Sequence, residues 1–183
     1  MAKRQSLKEL QERLAQRLSV AKTEAVTAAW LAVESHGNRY LLPLVQSGEI
    51  FPWSSVQRVP YTKPWFVGVA SLRGGLHGVI DLAALVESSA PTSSSVLDRT
   101  QGDRITSESR LVSLHTALGV NAVIWIDRLL GLRSAAMFSG FGAKPDGAPA
   151  YFNRSLVDAQ GLLWQELDLQ VLVGEPEFLA IAA

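Results

Sequence analysis

The sequence predicts a mainly β fold, a barrel or a sandwich, on three observations. Nine or ten short apolar runs recur at close spacing, turn signals rich in Gly, Pro and Asn separate them, and a sustained helical period occurs only near the N-terminus. A chain of 183 residues makes one domain, or two small subdomains sharing a core, and buries roughly 70% of its unfolded surface.

Ser6-Leu7-Lys8-Glu9 fits a capping box: Ser6 accepts from the Glu9 amide and the Glu9 carboxylate reaches back to the Ser6 amide. A helix begins there. Leu7, Leu10, Leu14, Leu18 and Ala21 follow at three- and four-residue spacing, one narrow apolar stripe on about four or five turns. The rest of its surface is on balance basic and the stripe has no aromatic residue. Residues 1–27 therefore read as an amphipathic extension lying on its own domain, with a partner protein and a membrane surface as the alternatives.

From Val26 the period shortens to that of a strand. Ala29–Ser35 and Arg39–Val45 flank His36-Gly37-Asn38, a hairpin turn in which Gly and Asn take the positive φ angles. Ser47–Ser55 holds a short edge strand. Val56–Leu82 reads as strand, turn, strand, tight turn, strand, and everything else is arranged around it. Pro60 and Pro64 bracket Tyr61-Thr62-Lys63, and Gly74-Gly75 after Arg73 allow a sharp reversal that leaves the guanidinium at the lip of a sheet. Ala83–Val86 fits one helical turn, and the Ser-rich stretch over about 87–106 is a low-complexity loop. Strands resume over Arg110–Thr116, Asn121–Ile126 and Arg128–Phe138. Ser139–Ala150 reads as a second long loop, Gly161–Glu166 as the last strand and Leu167–Val173 as a short helix.

Composition removes several function classes. Lys+Arg and Asp+Glu balance at 17 each, so the chain carries no net positive charge for nucleic acid or an anionic membrane. With 48% apolar and 19% charged residues, apolar surface is left for a protein partner. There is no Cys, which removes disulfides, thiolate chemistry and Cys-based zinc sites. The basic N-terminus lacks an apolar stretch after it, and no apolar run approaches the about 20 residues that span a bilayer; a cytoplasmic protein is expected.

The search for chemistry leaves little. His36, His77 and His115 stand apart without metal-ligand spacing. His77 and Asp81, four residues apart, alternate onto one face of a strand, and a His–Asp pair orients an imidazole for general-base work. That pair carries the competing reading, a ligand-binding or hydrolytic β-barrel. No nucleophile elbow accompanies it, since Phe138-Ser139-Gly140 is a glycine loop, and no phosphate-binding loop follows Gly74-Gly75. Asp81 itself fits the capping of the next turn's amides. Five Trp are spread one to each strand region, and Trp53 and Trp65, flanking the Pro-rich turn, are expected to be exposed and to anchor a partner. No catalytic, cofactor or metal residue is assigned.

The stretch VPYTKPWFVGVASLRGGLHGVIDL resembles the CheW-like family of chemotaxis coupling proteins in its Val-Pro turn, Pro-aromatic step, GV, LRG, β-branched pair and closing DL. The likeness runs ungapped from Arg39 through Leu85 and continues more weakly in Leu111–Leu132, where IWIDRLLGL is similar to the family's V-D-x-V segment. The basic N-terminal helix and the Ser-rich break resemble the pilus-motility branch, the PilI-type adaptors. The resemblance implies a CheW-like domain over residues 28–183, built as two small five-stranded SH3-like barrels about a shared core. It also implies a non-enzymatic adaptor that joins the regulatory domain of a CheA-type histidine kinase to the cytoplasmic tip of a methyl-accepting receptor, recruited to membrane-associated receptor arrays. Carried over by position, Arg73, Gly74 and Ser71 fall at the receptor contact, Glu49 and Ile50 at the kinase contact, and Asp81 at the strand-ending Asp. Four positions depart from the pattern: Ser47 and Gly48 replace larger residues, Ser71 replaces Asn, and Gly78 replaces Pro.

Overall fold

The computed structural model describes residues 11–13, 15–16, 28–89 and 101–183. Residues 11–13 and 15–16 are helical and exposed; the rest of the expected N-terminal helix, like residues 90–100 of the Ser-rich stretch, lies outside the described residues. The strands are β1 (Trp30–Ser35), β2 (Asn38–Pro43), β3 (Ser47–Pro52), β4 (Phe66–Leu72), β5 (Gly75–Asp81), β6 (Arg110–Leu114), β7 (Ala122–Ile126), β8 (Arg128–Arg133), β9 (Phe138–Gly142), β10 (Phe152–Asp158) and β11 (Leu163–Leu167). Apart from residues 11–13 and 15–16 and short 3-10 turns, the helices of the described chain are α1 (Leu82–Ser88), α2 (Leu169–Gly174) and α3 (Pro176–Leu179).

The strands form a six-stranded sheet, order β8-β1-β2-β11-β10-β9, and a five-stranded sheet, order β3-β6-β7-β5-β4. Neighbours are antiparallel except β2 with β11 and β5 with β7. The expected pair of five-stranded barrels is corrected on two counts: one sheet has six strands, and in neither are the end strands paired into a closed barrel. Each sheet nevertheless curls. Phe138 of β9 packs edge-on against Trp30 of β1 at 5.8 Å, across the span of three intervening strands, and Phe51 of β3 lies 6.5 Å from His77 of β5.

Curling explains why three apolar clusters exist. Val67, Leu72, Val79, Leu111, Val123 and Trp125 fill the five-stranded sheet, and Trp30, Leu41, Phe138, Leu156 and Trp164 fill the six-stranded one. The largest cluster, with Leu31, Leu42, Ile80, Ile124, Leu167 and Leu172 among its members, draws on both sheets and is the shared core. Strands β1, β2, β5, β6, β7 and β11 serve two cores at once, and β7 is buried at every position. Inside the six-stranded curl the Glu166 carboxylate is buried but accepts from Trp30 Nε1 (2.6 Å), Asn153 Nδ2 (3.1 Å) and Arg154 Nε (2.9 Å), which satisfies the charge.

Several expectations differ in detail from what is observed. The first strand read from Val56 shrinks to one bridge, Gln57 with Val69, because Pro60, Pro64 and the positive φ of Tyr61 (58°) turn the chain away. The β1–β2 and β4–β5 turns each use a side-chain-bearing residue with the glycine: His36 (50°), in place of the expected Asn38, with Gly37 (76°), and Arg73 (47°) with Gly74 (78°). Two consecutive positive φ angles give a two-residue turn whose twist matches the flanking strands. The expected strand Arg128–Phe138 ends at Arg133 as β8, and β9 starts at Phe138 and runs on to Gly142, into the stretch expected as a Gly/Pro loop. Trp65 is corrected most: it is 3% exposed, stacked on Phe178 at 5.7 Å in the shared core.

The shared core also fixes two phenols. Burial pushes Tyr40 up to about 12, with Tyr151 and Glu87 adding to it, and burial pushes Tyr151 up to about 12 against the hydrogen bond to Ser89. A raised phenol favours the fold below its ordinary value, and that contribution is lost as pH rises through the folded value. Ultraviolet difference titration is therefore expected to show two of the three tyrosines un-ionised to about pH 12, with the fold lost as they ionise. Smooth ionisation of all three near pH 10 in a still folded chain would contradict the packing.

Candidate functional site

The sequence-derived contact residues gather on the five-stranded sheet. The β4–β5 hairpin closes at Leu72 opposite Gly75, leaving Arg73 and Gly74 as the turn. The Arg73 side chain is 76% exposed, and it forms an ion pair with Glu49 of β3, the strand at the far end of the sheet order. The curl thus joins the residues implied for two different partners.

Local sequence explains how Glu49 comes to be there. A bulge interrupts β3 between Ser47 and Ile50, and the Glu49 amide donates to Ser113 Oγ of β6 (2.7 Å). A Cβ on Gly48 would collide with that same hydroxyl and crowd the Leu114 carbonyl at 3.2 Å. Gly48, one of the departures from the family pattern, is what lets β3 bulge and present Glu49. The edge position expected for this segment is observed.

Exposed apolar side chains stand near both members of the pair along the chain, Ile50 directly after Glu49 and Leu76 three residues after Arg73. Ile50 is 36% exposed and directly opposite Val112, and Leu76 is 62% exposed and directly opposite Ser71. Val112 belongs to the shared core, as does Ile80, which lies four residues beyond Leu76 on the same side of β5. Ile50 and Leu76 therefore continue, in the open, the face that packs between the sheets. Sequence reading missed Leu76, although its place two residues after Gly74 on the outward side of a hairpin was a usable signal. Trp53, expected to be exposed, is half-buried against Trp125, with ring centroids 4.9 Å apart.

The competing His77/Asp81 site does not assemble. Along β5 the two lie roughly 13 Å apart. The His77 ring bonds the Gly75 carbonyl, whereas Asp81 caps α1 through the Ala83 and Ala84 amides and receives Arg104 Nη1 at 2.8 Å. Burial pushes the Asp81 carboxyl above its usual range, and Arg104 with the two amides brings it only part of the way back. Its oxygens are committed to structure. Among the described residues no group of three His, Cys, Asp or Glu could hold a metal, and no helix is long and apolar enough to cross a membrane.

Comparison with known proteins adds the family. The model of the CheW-like domain matches residues 29–177. Among solved structures the chain is similar to the scaffolding protein TtCheW from Thermoanaerobacter tengcongensis, with a TM-score of 0.56 and 15% identity, over 77% of this chain and 88% of that one. At that identity the likeness is one of fold. No curated protein sequence matches.

Proposed function

The chain belongs to the CheW-like family, and on that premise we propose that it is a non-enzymatic adaptor coupling a chemoreceptor to a CheA-type histidine kinase. The carrying observation is that Glu49 and Arg73 are exposed, paired with each other and accompanied by the exposed apolar side chains of Ile50 and Leu76. Charged groups beside exposed apolar side chains are the makings of a protein contact. Arg73, with Gly74 and Ser71, takes the receptor tip; Glu49 and Ile50 take the kinase regulatory domain, with Trp53 as a candidate anchor. Among the described strands β3 pairs only with β6, which leaves its other edge for pairing with a homologous sheet. We place the pathway in type IV pilus twitching motility, on the basic N-terminal extension and the Ser-rich break.

Arg73→Glu tests the receptor assignment. It sets a second carboxylate beside Glu49 at a site that water screens, so the fold is expected to survive while receptor binding falls about tenfold or more. The charge-swapped pair Arg73→Glu with Glu49→Arg separates two roles for Arg73. Weak receptor binding in the swapped protein is expected of a direct contact; restored binding would make Arg73 only the holder of Glu49.

A further inference from the structure

The described chain passes between the sheets twice, from β2 to β3 through Leu44–Gln46 and from β7 to β8 through Asp127. At the first passage Gln46 bonds Asp168 (3.1 Å) and the Leu169 amide (2.7 Å) at the start of α2. At the second stands Arg104, its side chain 12% exposed. Nη1 reaches both oxygens of Asp81 (3.1 and 2.8 Å), at the end of the five-stranded sheet's β5. Nη2 reaches Asp127 Oδ1 at 2.8 Å and Ser35 Oγ of β1 at 3.4 Å. The other Asp127 oxygen accepts from the His36 amide (2.7 Å), in the β1–β2 turn of the six-stranded sheet. The guanidinium also lies 4.6 Å over the Trp125 ring.

We infer that Arg104 is a positioning residue that sets the angle between the two sheets. A guanidinium is planar and donates in fixed directions, so one fork gripping a carboxylate from each side admits one relative orientation. Stability alone does not account for it. A buried ion pair gains little over apolar packing of the same volume, and among the described residues Arg104 Nε stays buried without an acceptor. What the charged fork adds over an apolar plug is a unique geometry. The angle matters to the proposed adaptor because Ile50 and Leu76 face the side of the five-stranded sheet that the six-stranded sheet shares. A partner covering them is seated by that angle. The functional consequence rests on the adaptor reading; the geometric claim does not.

The test measures residual dipolar couplings of both sheets in the full chain and in Arg104→Lys, which keeps the charge and loses the fork. Asp127→Asn, which keeps an acceptor, is the second variant should the first fail to fold. Each sheet is expected to fit its parental geometry while a single alignment no longer fits both, and kinase or receptor binding is expected to weaken about tenfold. Unchanged inter-sheet alignment in the folded variant, with only a lower melting temperature, would overturn the inference. Failure of the parent to bind either partner would remove the adaptor reading and leave the couplings to decide the role of Arg104.

Discussion

Gly68→Ala is expected to cost about 3–5 kcal/mol, the sum of backbone strain of about 1–3 and two hydrogen bonds of about 1 each. Gly68 sits at φ +144° in β4, a conformation that a side chain rarely adopts. A Cβ there would drive into the Gln57 carbonyl, with that carbonyl's carbon at 2.8 Å and Arg58 Cα at 3.0 Å. These are backbone atoms with no rotamer by which to move aside. Gln57 and Val69 exchange amide bonds of 2.8 and 2.9 Å at this point, the bridge that ties the stretch after β3 to β4. The melting temperature is expected to fall by on the order of 10 °C. Gly74→Ala makes the control, since nothing lies within 4 Å of a Cβ there and only the positive φ is strained; it is expected to cost about 1–2 kcal/mol. Equal melting temperatures for the two variants would mean that the Gln57 segment yields freely.

Asp81→Ala is the second large effect, expected at about 3–5 kcal/mol because it leaves a buried cation short of a partner. It also removes the acceptor for the Ala83 and Ala84 amides at the start of α1. Asp81→Asn keeps an oxygen for those amides and for Arg104, and is expected to lose clearly less. Chemical denaturation of the three proteins checks the order. A loss in Asp81→Ala no larger than the about 1 kcal/mol of an ordinary helix cap would mean that Asp127 alone satisfies Arg104.

What was legible in the sequence was what neighbouring residues decide. The His36-Gly37 and Arg73-Gly74 reversals, the β3 edge and the short apolar runs of β1, β2, β6 and β7 depend on local φ preference and local composition. Strand β9, Phe-Ser-Gly-Phe-Gly, has glycines at alternate places and no core pattern of its own; its pairing with β10 makes it a strand. Strand β10 reads as polar because Asn153 and Arg154 point to solvent or to Glu166. Trp65 looked exposed beside two prolines because Phe178, which covers it, is far along the chain.

The contact surface divides the same way. Arg73 and Glu49 were found singly by position, but their pairing follows from the curl of a sheet in which their strands are not neighbours. Arg104 carried no signal, since it follows a low-complexity tract and its two carboxylates lie 23 residues away on either side.

The adaptor reading is tested most directly by calorimetric titration of the full chain with the regulatory domain of the CheA-type kinase from the same genome. Saturable binding in the micromolar range or tighter is expected, weakened by about tenfold or more in Ile50→Asp, because a carboxylate is desolvated at an apolar contact. A folded parent that takes up no kinase domain, or an Ile50→Asp variant that binds as the parent does, would contradict the kinase contact on β3.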